Sequence, residues 1–278
     1  MNLNSMRSMW LYVVSLALLS FALASCGSSS LDKQQREVQL SQQLTQAVLW
    51  HQNAGERDAL CHQAFNLATL RVDQYLSNDD KKENPIVIVD IDETIVDNSP
   101  FQAQAVKSDF MYPNYWHEWV ETASAEALPG AVDFLNYASD NGIGVYYISN
   151  RSEKNREATL KNLKNLGFPK VQDEKLFLKK KHAVKDSLRK ELSANNEIVL
   201  LIGDNLDDFS NVFKHQSVDK RLGAVDSLKA LFGDKFIVTP NAMYGDWEGA
   251  IYSFEYAKSQ EEKNKIRKAH LKGFDVGQ

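Results

Sequence analysis

The chain has 278 residues, 43% hydrophobic and 25% charged, with a formal net charge of −5. That size and balance suit a globular core, as one large domain or a domain carrying an insertion. The acidic balance and the lack of a basic stripe among aromatics exclude general affinity for nucleic-acid polymers, and two cysteines are too few for a cysteine-based zinc cluster.

The first 26 residues read as an address rather than as structure. Arg7 supplies a positive n-region, and Trp10 to Leu23 form an apolar run too short to span a membrane comfortably. Leu23-Ala24-Ser25-Cys26 then resembles the lipobox of bacterial lipoproteins. On that reading residues 1–25 are a signal peptide, Cys26 is acylated, and residues 26–31 are a flexible tether. The membrane is then a partner through the lipid alone, and Gly27 leans toward an outer-membrane location in the cell envelope. The alternative is an ordinary secretory signal with a chance cysteine. With Cys26 acylated, Cys61 has no disulfide partner, and between Leu60 and Phe65 it reads as a buried small hydrophobe.

The globular part, 32–278, begins with helices over 32–84. Leu40, Leu44, Val48 and Leu49 predict one over 32–51, and Asn53-Ala54-Gly55 breaks it. Leu60, Ala64, Leu67 and Tyr75 predict a second over 56–77, with His51 and His62 as bystanders. After Pro85 comes Ile86-Val87-Ile88-Val89, a β-branched run that reads as a strand buried on both faces. It ends in Asp90-Ile91-Asp92-Glu93-Thr94. Residues i and i+2 at a strand's end point the same way, so Asp90 and Asp92 project together. Alone, the two acids fit an Asx-type turn as well as a site. Residues 95–127, with Phe101, Phe110, Tyr112, Tyr115, Trp116 and Trp119, predict a cap-like insertion or a loop that packs down.

Leu128-Pro129-Gly130 opens a helix to about Ser139, which Asn141-Gly142 ends. Gly144 to Ile148 is a second strand and runs into Ser149-Asn150-Arg151; Ser152 is expected to cap the next helix, which stops at Gly167. Leu176 to Leu178 is a third strand, and a basic helix over 181–192 carries Lys185 and Arg189. A fourth strand, 197–202, ends in Gly203-Asp204-Asn205-Leu206-Asp207-Asp208. A helix over 219–231, a strand over 236–238, and helices near 247–257 and 259–272 complete the chain. The alternation predicts an α/β fold: a Rossmann-like, five-stranded parallel sheet over 85–94 and 128–240 with helices on both faces. A smaller helical and aromatic cap region (95–127) and C-terminal helices (241–278) flank it.

Ligands bind outside the carboxyl ends of such strands. There the chain offers Asp90, Asp92 and Thr94, then Ser149, Lys185, Asp204 and Asp208. Several carboxylates, a hydroxyl and a lysine suit phosphoryl transfer to a carboxylate. The acids bind a hard divalent cation, most naturally Mg²⁺, one Asp attacks phosphorus, and another handles the proton. Lysine and hydroxyl neutralise the phosphoryl oxygens.

In this order the residues resemble the four motifs of the haloacid-dehalogenase-like phosphotransferases: hhhhDxDxT at Asp90 to Thr94, Ser149, Lys185, and Gly203 to Asp208. By that resemblance Asp90 is the nucleophile and Asp92 the general acid/base. Asp90, the main-chain carbonyl of Asp92, and Asp204 hold Mg²⁺, with Asp208 in support. Lys179, Lys180 and Lys181 crowd the region of the third motif, and Lys185 is preferred because Arg189 follows one helical turn later. A narrower resemblance adds Asp97-Asn98-Ser99-Pro100, Leu128-Pro129-Gly130-Ala131, Ser149-Asn150-Arg151 and Pro240-Asn241-Ala242-x-Tyr244-Gly245-x-Trp247-Glu248-Gly249. These look like the class C acid phosphatases, most closely their lipoprotein e(P4) branch of surface-anchored 5′-nucleotidases.

The resemblance implies hydrolysis of nucleoside monophosphates, including nicotinamide mononucleotide. Thr94 and Asn150 would contact substrate, and Phe110 (or Tyr112), Trp116 and Tyr244 would stack on the base. Arg151 either braces the second motif or reaches a phosphate, Asp97 and Asn98 hold the loop after the first strand, and Trp247 packs. The oligomeric state stays open and leaves room for a homodimer. Two other readings stand: a broad phosphatase or phosphotransferase without nucleotide preference, and a catalytically silent binding lipoprotein.

Overall fold

Everything in the molecule is arranged around the strand that Pro85 opens. The structure, a computed structural model, describes residues 42–179 and 185–275. The signal segment, Cys26, the tether, residues 32–41 of the first expected helix, and Lys180 and Lys181 lie outside the described residues. Helices α1 (Thr45–Asn53) and α2 (Gly55–Leu76) are parted at Ala54, whose extended backbone (φ −87°, ψ 119°) cannot continue either one. Strand β1 (Pro85–Val89) follows. The insertion comes next: β2 (Val96–Asp97), α3 (Ser99–Ser108), α4 (Trp116–Glu121) and β3 (Glu126–Ala127). β2 and β3 pair antiparallel, so the insertion is pinched at its base and stands as a unit beside the end of β1.

The chain then alternates: α5 (Ala131–Asp140), β4 (Gly144–Ser152), α6 (Arg156–Asn165), β5 (Leu176–Lys179), α7 (Lys185–Ser193), β6 (Glu197–Gly203), α8 (Val218–Ser227) and β7 (Phe236–Val238). The five long-range strands form a parallel sheet in the order β5-β4-β1-β6-β7. From β1 the chain winds to one side through β4 and β5, then crosses back to β6 on the other. The topological switch therefore falls between β1 and β6, where a crevice opens.

Side chains alternate across β1. Val87 and Val89 pack with Phe65, Ala68 and Val72 of α2 and with Phe134, Leu135 and Ala138 of α5. Ile86 and Ile88 face the opposite cluster, with Ile148, Leu201 and Phe236 against Leu188 and Leu192 of α7. Both faces are covered, as an unbroken β-branched run requires. Cys61 is fully buried in the first of these clusters, as its apolar neighbours imply.

Three local expectations are corrected. Ser152 makes no side-chain cap; a single tight turn over 153–155 intervenes and α6 starts at Arg156. The helix expected to 231 ends at Ser227, and residues 229–231 form a separate tight turn. The helix expected near 247–257 is only α9 (Asp246–Ile251), because Ser253 and Phe254 take φ of 55° and 60°, a left-handed backbone that no α-helix continues through. The chain closes with α10 (Gln260–Ala269). Among the described residues no helix is long and apolar enough to cross a membrane.

Candidate active site

Asp90 is the first residue beyond β1, yet its N–H still donates to Ile202 O of β6 at 3.0 Å. That bond carries the strand geometry one residue past the end of β1 and sets the carboxylate in the crevice. Lys185, the first residue of α7, donates its Nζ to Asp90 Oδ1 and, at 2.6 Å, to Asp208 Oδ1. One ammonium thus spans the ends of β1 and β6. Asp208 is fixed from its other side, since its Oδ2 accepts the Asn205 N–H at 3.0 Å. Gly203 is needed here: a Cβ at that position would collide with the Asp208 side chain. Arg189, one turn after Lys185, holds the loop by donating to the carbonyls of Asp207 and Asp208 at 3.1 and 2.9 Å. Asp204 Oδ2 accepts from Asn241 Nδ2 at 2.7 Å, which ties the loop after β7 to the site.

Thr94, expected to touch substrate, is fully buried instead. Its hydroxyl lies 3.3 Å from Asp90 Oδ2 and 3.4 Å from Asp204 Oδ1, and it accepts the Asp204 N–H at 3.1 Å. Its hydrogen-bonding capacity is consumed in joining the two strands. Ser149, near the end of β4, donates its Oγ to Asp92 Oδ2 at 3.3 Å and accepts the Arg151 N–H at 3.1 Å. Arg151, expected to brace the second motif or reach a phosphate, instead braces Asp92 of the first motif. Its Nε and Nη2 sit 2.9 and 2.8 Å from Asp92 Oδ1, and only its main-chain N–H meets Ser149. Asn98, fully buried, adds a third donor to the same oxygen at 2.9 Å.

The four acids part by environment. Asp90, Asp204 and Asp208 each bring one oxygen within 4.8 Å of the others. Burial foremost, offset by Lys185 and reinforced by Asp208 and Asp92, pushes the Asp90 carboxyl up to about 7. Burial and then Asp208 and Asp90 hold Asp204 well above the usual carboxylate range. Lys185 would be lowered by burial, but Asp208 and Asp90 outweigh that and raise it, so it stays an ammonium. A buried, crowded carboxylate group of this kind suits a hard cation with oxygen ligands. Asp92 stands apart, its carboxylate occupied by Arg151, Asn98 and Ser149.

Beyond Ser149, at Asn150, opens a cavity of about 380 Å³, lined also by Tyr112, Pro113, Trp116, His117 and Asn155, with Ser152, Lys154 and Lys179 at hand; none of the acids of the crevice lines it. Trp116 reaches back to the site, with the Arg151 guanidinium 5.9 Å from its ring. Phe110 is turned elsewhere, edge-on to Phe101 at 5.6 Å and to Tyr115 at 4.9 Å, so of the two residues open for that role Tyr112 is the one on the cavity. Tyr244 is half-buried in the loop that Asn241 anchors. Trp247, expected to pack, is 45% exposed. His117 meets Asn155 Nδ2 at 2.6 Å, and His215 lies against the Phe254 ring at 4.9 Å. Asn241 as a partner of Asp204 and the Asn98–Trp119 contact escaped the sequence reading. For Asn241, its place in a quoted motif was the available signal.

Comparison with known proteins bears on this geometry. The structure superposes with a TM-score of 0.83 on the class C acid phosphatase from Bacillus anthracis, at 45% identity over 85% of this chain and 99% of that one. The tungstate-bound form of a class C acid phosphatase from the same organism gives 0.82, at 45% identity over 84% and 99%. Acid phosphatase 1 of Solanum lycopersicum is 30% identical over 82 residues, 29% of this chain and 32% of that protein. The stem 31 kDa glycoprotein of Glycine max is 29% identical over 143 residues, 48% and 56% of the two chains. The chain therefore spans about a third and about half of these two plant relatives. The family model of the HAD superfamily, subfamily IIIB (acid phosphatase), matches residues 15–247. Motif order, sheet topology and these matches agree, and the chain belongs to this acid phosphatase family of phosphomonoester hydrolases.

Proposed function

We propose that this protein is a Mg²⁺-dependent acid phosphatase with 5′-nucleotidase activity, held at the bacterial surface by a lipid on Cys26. The reading rests on one arrangement: Asp90 against Lys185 at the β1/β6 crevice, with the clamped Asp92 beside it. Asp90 attacks phosphorus, the bond to the leaving oxygen breaks with its electron pair, and Asp92 gives that oxygen a proton. Water then attacks the aspartyl-phosphate and Asp92 takes its proton. Asp90 is regenerated as inorganic phosphate departs. Lys185 stays charged throughout and neutralises phosphoryl oxygen.

The acidic group fits a divalent cation, because the burial and crowding that raise Asp90 and Asp204 are relieved by positive charge among them. Asp90, Asp204 and the Asp92 carbonyl would hold it, with Asp208 behind. When bound, Mg²⁺ supplies charge that keeps Asp90 ionised at acid pH and screens it from the incoming phosphate. Tungstate, found bound in a relative, is a tetrahedral oxyanion of phosphate's shape, which supports the same reading. The nucleotide preference is supported by Tyr112 and Trp116 on a cavity that reaches the site through Arg151, the partner of Asp92. Nicotinamide mononucleotide, with its flat charged ring, falls in the same class.

The test is phosphate release by residues 27–278 from p-nitrophenyl phosphate, AMP and nicotinamide mononucleotide, with and without Mg²⁺. Release that needs Mg²⁺ and disappears in Asp90→Asn is the expected result; no release in any condition overturns the enzyme. Trp116→Ala and Tyr244→Ala should weaken nucleotide turnover selectively. Equal loss on every substrate would move the assignment to a broad phosphatase. The anchor is tested separately, by mass spectrometry of detergent-extracted protein for acyl groups on Cys26.

A further inference from the structure

Asp92 is held more tightly than any other carboxylate at the site, and the hold reaches into the insertion. Its Oδ1 receives three donors: Arg151 Nε at 2.9 Å, Arg151 Nη2 at 2.8 Å and Asn98 Nδ2 at 2.9 Å. Its Oδ2 is met by the Ser149 hydroxyl and Arg151 Nε at 3.3 and 3.2 Å. Asn98 contributes its amide nitrogen only if the amide is turned one way. The turn is dictated by the other end, where Asn98 Oδ1 faces Trp119 Nε1 at 2.8 Å and Arg151 Nη2 at 3.4 Å. Indole and guanidinium are donors without acceptor capacity, so the atom that faces them must be oxygen. The amide nitrogen is thereby directed to Asp92 and to Glu93 Oε2 at 3.4 Å. Thr159 Oγ1 steadies the far side of the fork, 3.2 Å from Arg151 Nη1.

We propose that Trp119 is a positioning residue for the proton-transfer step: through Asn98 and together with Arg151 it immobilises Asp92 Oδ1 and leaves Oδ2 as the working oxygen. The inference rests on the assignment of Asp92 as general acid. Trp119 sits on α4, 21 residues from Asn98, so the insertion takes part in catalysis without touching the reacting atoms. Without the indole N–H, Asn98 Oδ1 keeps only the Arg151 Nη2 donor at 3.4 Å, and the amide can swing off Asp92. The acid then loses a donor to Oδ1, and its aim is less closely fixed.

A lost general acid matters according to the leaving group. p-Nitrophenolate departs as a stable anion, whereas the ribose 5′-oxygen of AMP must be protonated as it leaves. The test compares wild type, Trp119→Phe, Asn98→Ala and Asp92→Asn on both substrates, with melting temperature as a check on folding. Trp119→Phe keeps an aromatic ring in that space and removes the N–H, together with part of the indole's packing, which the melting temperature reads. The quantity compared is kcat/KM, which reports the step in which the leaving group departs and not the later hydrolysis common to both. Asp92→Asn must itself lose far more kcat/KM on AMP than on p-nitrophenyl phosphate; if it does not, the assignment of Asp92 fails and the inference with it. Given that control, Trp119→Phe should lower kcat/KM on AMP by about tenfold, with kcat/KM on the aryl substrate much less affected. Asn98→Ala should reproduce the pattern. Equal loss of kcat/KM on both substrates, or no loss, would mean that Trp119 serves only to pack the insertion, and would overturn the inference.

Discussion

Asp97 has no part in the chemistry, yet its environment is among the most specific in the molecule. Arg57 Nη2 donates to it at 2.9 Å, the Ser99 N–H at 2.7 Å, and His51 Nε2 stands 3.4 Å away. Burial alone would raise its carboxyl, but its contacts with His51 and Ser99 outweigh burial and hold it at about 2, below the ordinary 3.8. A carboxyl lowered on folding stabilises the folded state above its unfolded pKa and loses that contribution as pH falls through the folded one. Asp97→Asn should therefore cost about 2 kcal/mol at neutral pH, and urea denaturation should show the gap closing as pH drops from about 4 to about 2. Gly203 acts by absence, because it leaves room for Asp208. Gly203→Ala should displace Asp208, and Lys185 with it, and lower kcat roughly a hundredfold while the fold survives by circular dichroism. The acids themselves stood out in the sequence as residues at strand ends. Their holders were less legible: Asn98 reads as holding the loop after the first strand but not as a donor to Asp92, and Trp119 is indistinguishable from any core aromatic until a partner is placed beside it.

At the level of elements, hydrophobic pattern decided most of the architecture. The run from Ile86 to Val89 could only be a central strand, and its alternation assigns each residue to one of the two core clusters. Leu135 of α5 is fully buried against that sheet, so Leu135→Ala should destabilise by about 3 kcal/mol, read by urea denaturation, through lost burial and the cavity left behind. Helix ends were harder to read. Ser152 carries a good capping side chain, but β4 runs through it and delays the helix to Arg156. Ser253 and Phe254 carry no local mark of the left-handed backbone that stops α9. Such ends answer to the packing of the next segment rather than to their own residues.

For the molecule as a whole, the site is assembled where two halves of the sheet diverge, and a ligand there should report on the entire fold. A cation bound by the folded carboxylates and not by the unfolded chain stabilises by linkage, about 2.7 kcal/mol at a hundred times its dissociation constant. Thermal melts should thus rise with Mg²⁺ in the wild type and respond far less in Asp204→Asn, and EDTA should reverse the rise. An unchanged wild-type melt at saturating Mg²⁺ would remove the ion from this account. The sequence by itself determined the order of strands and helices, the reactive residues at the strand ends, and the family they resemble, because these are properties of short stretches of chain. Only the tertiary structure decided that Thr94 braces rather than binds, that Tyr112 rather than Phe110 lines the cavity, and that Arg151 grips Asp92 from 59 residues away. Those outcomes depend on hydrogen bonds and ring contacts between distant segments, whose geometry exists only once the sheet has brought them together.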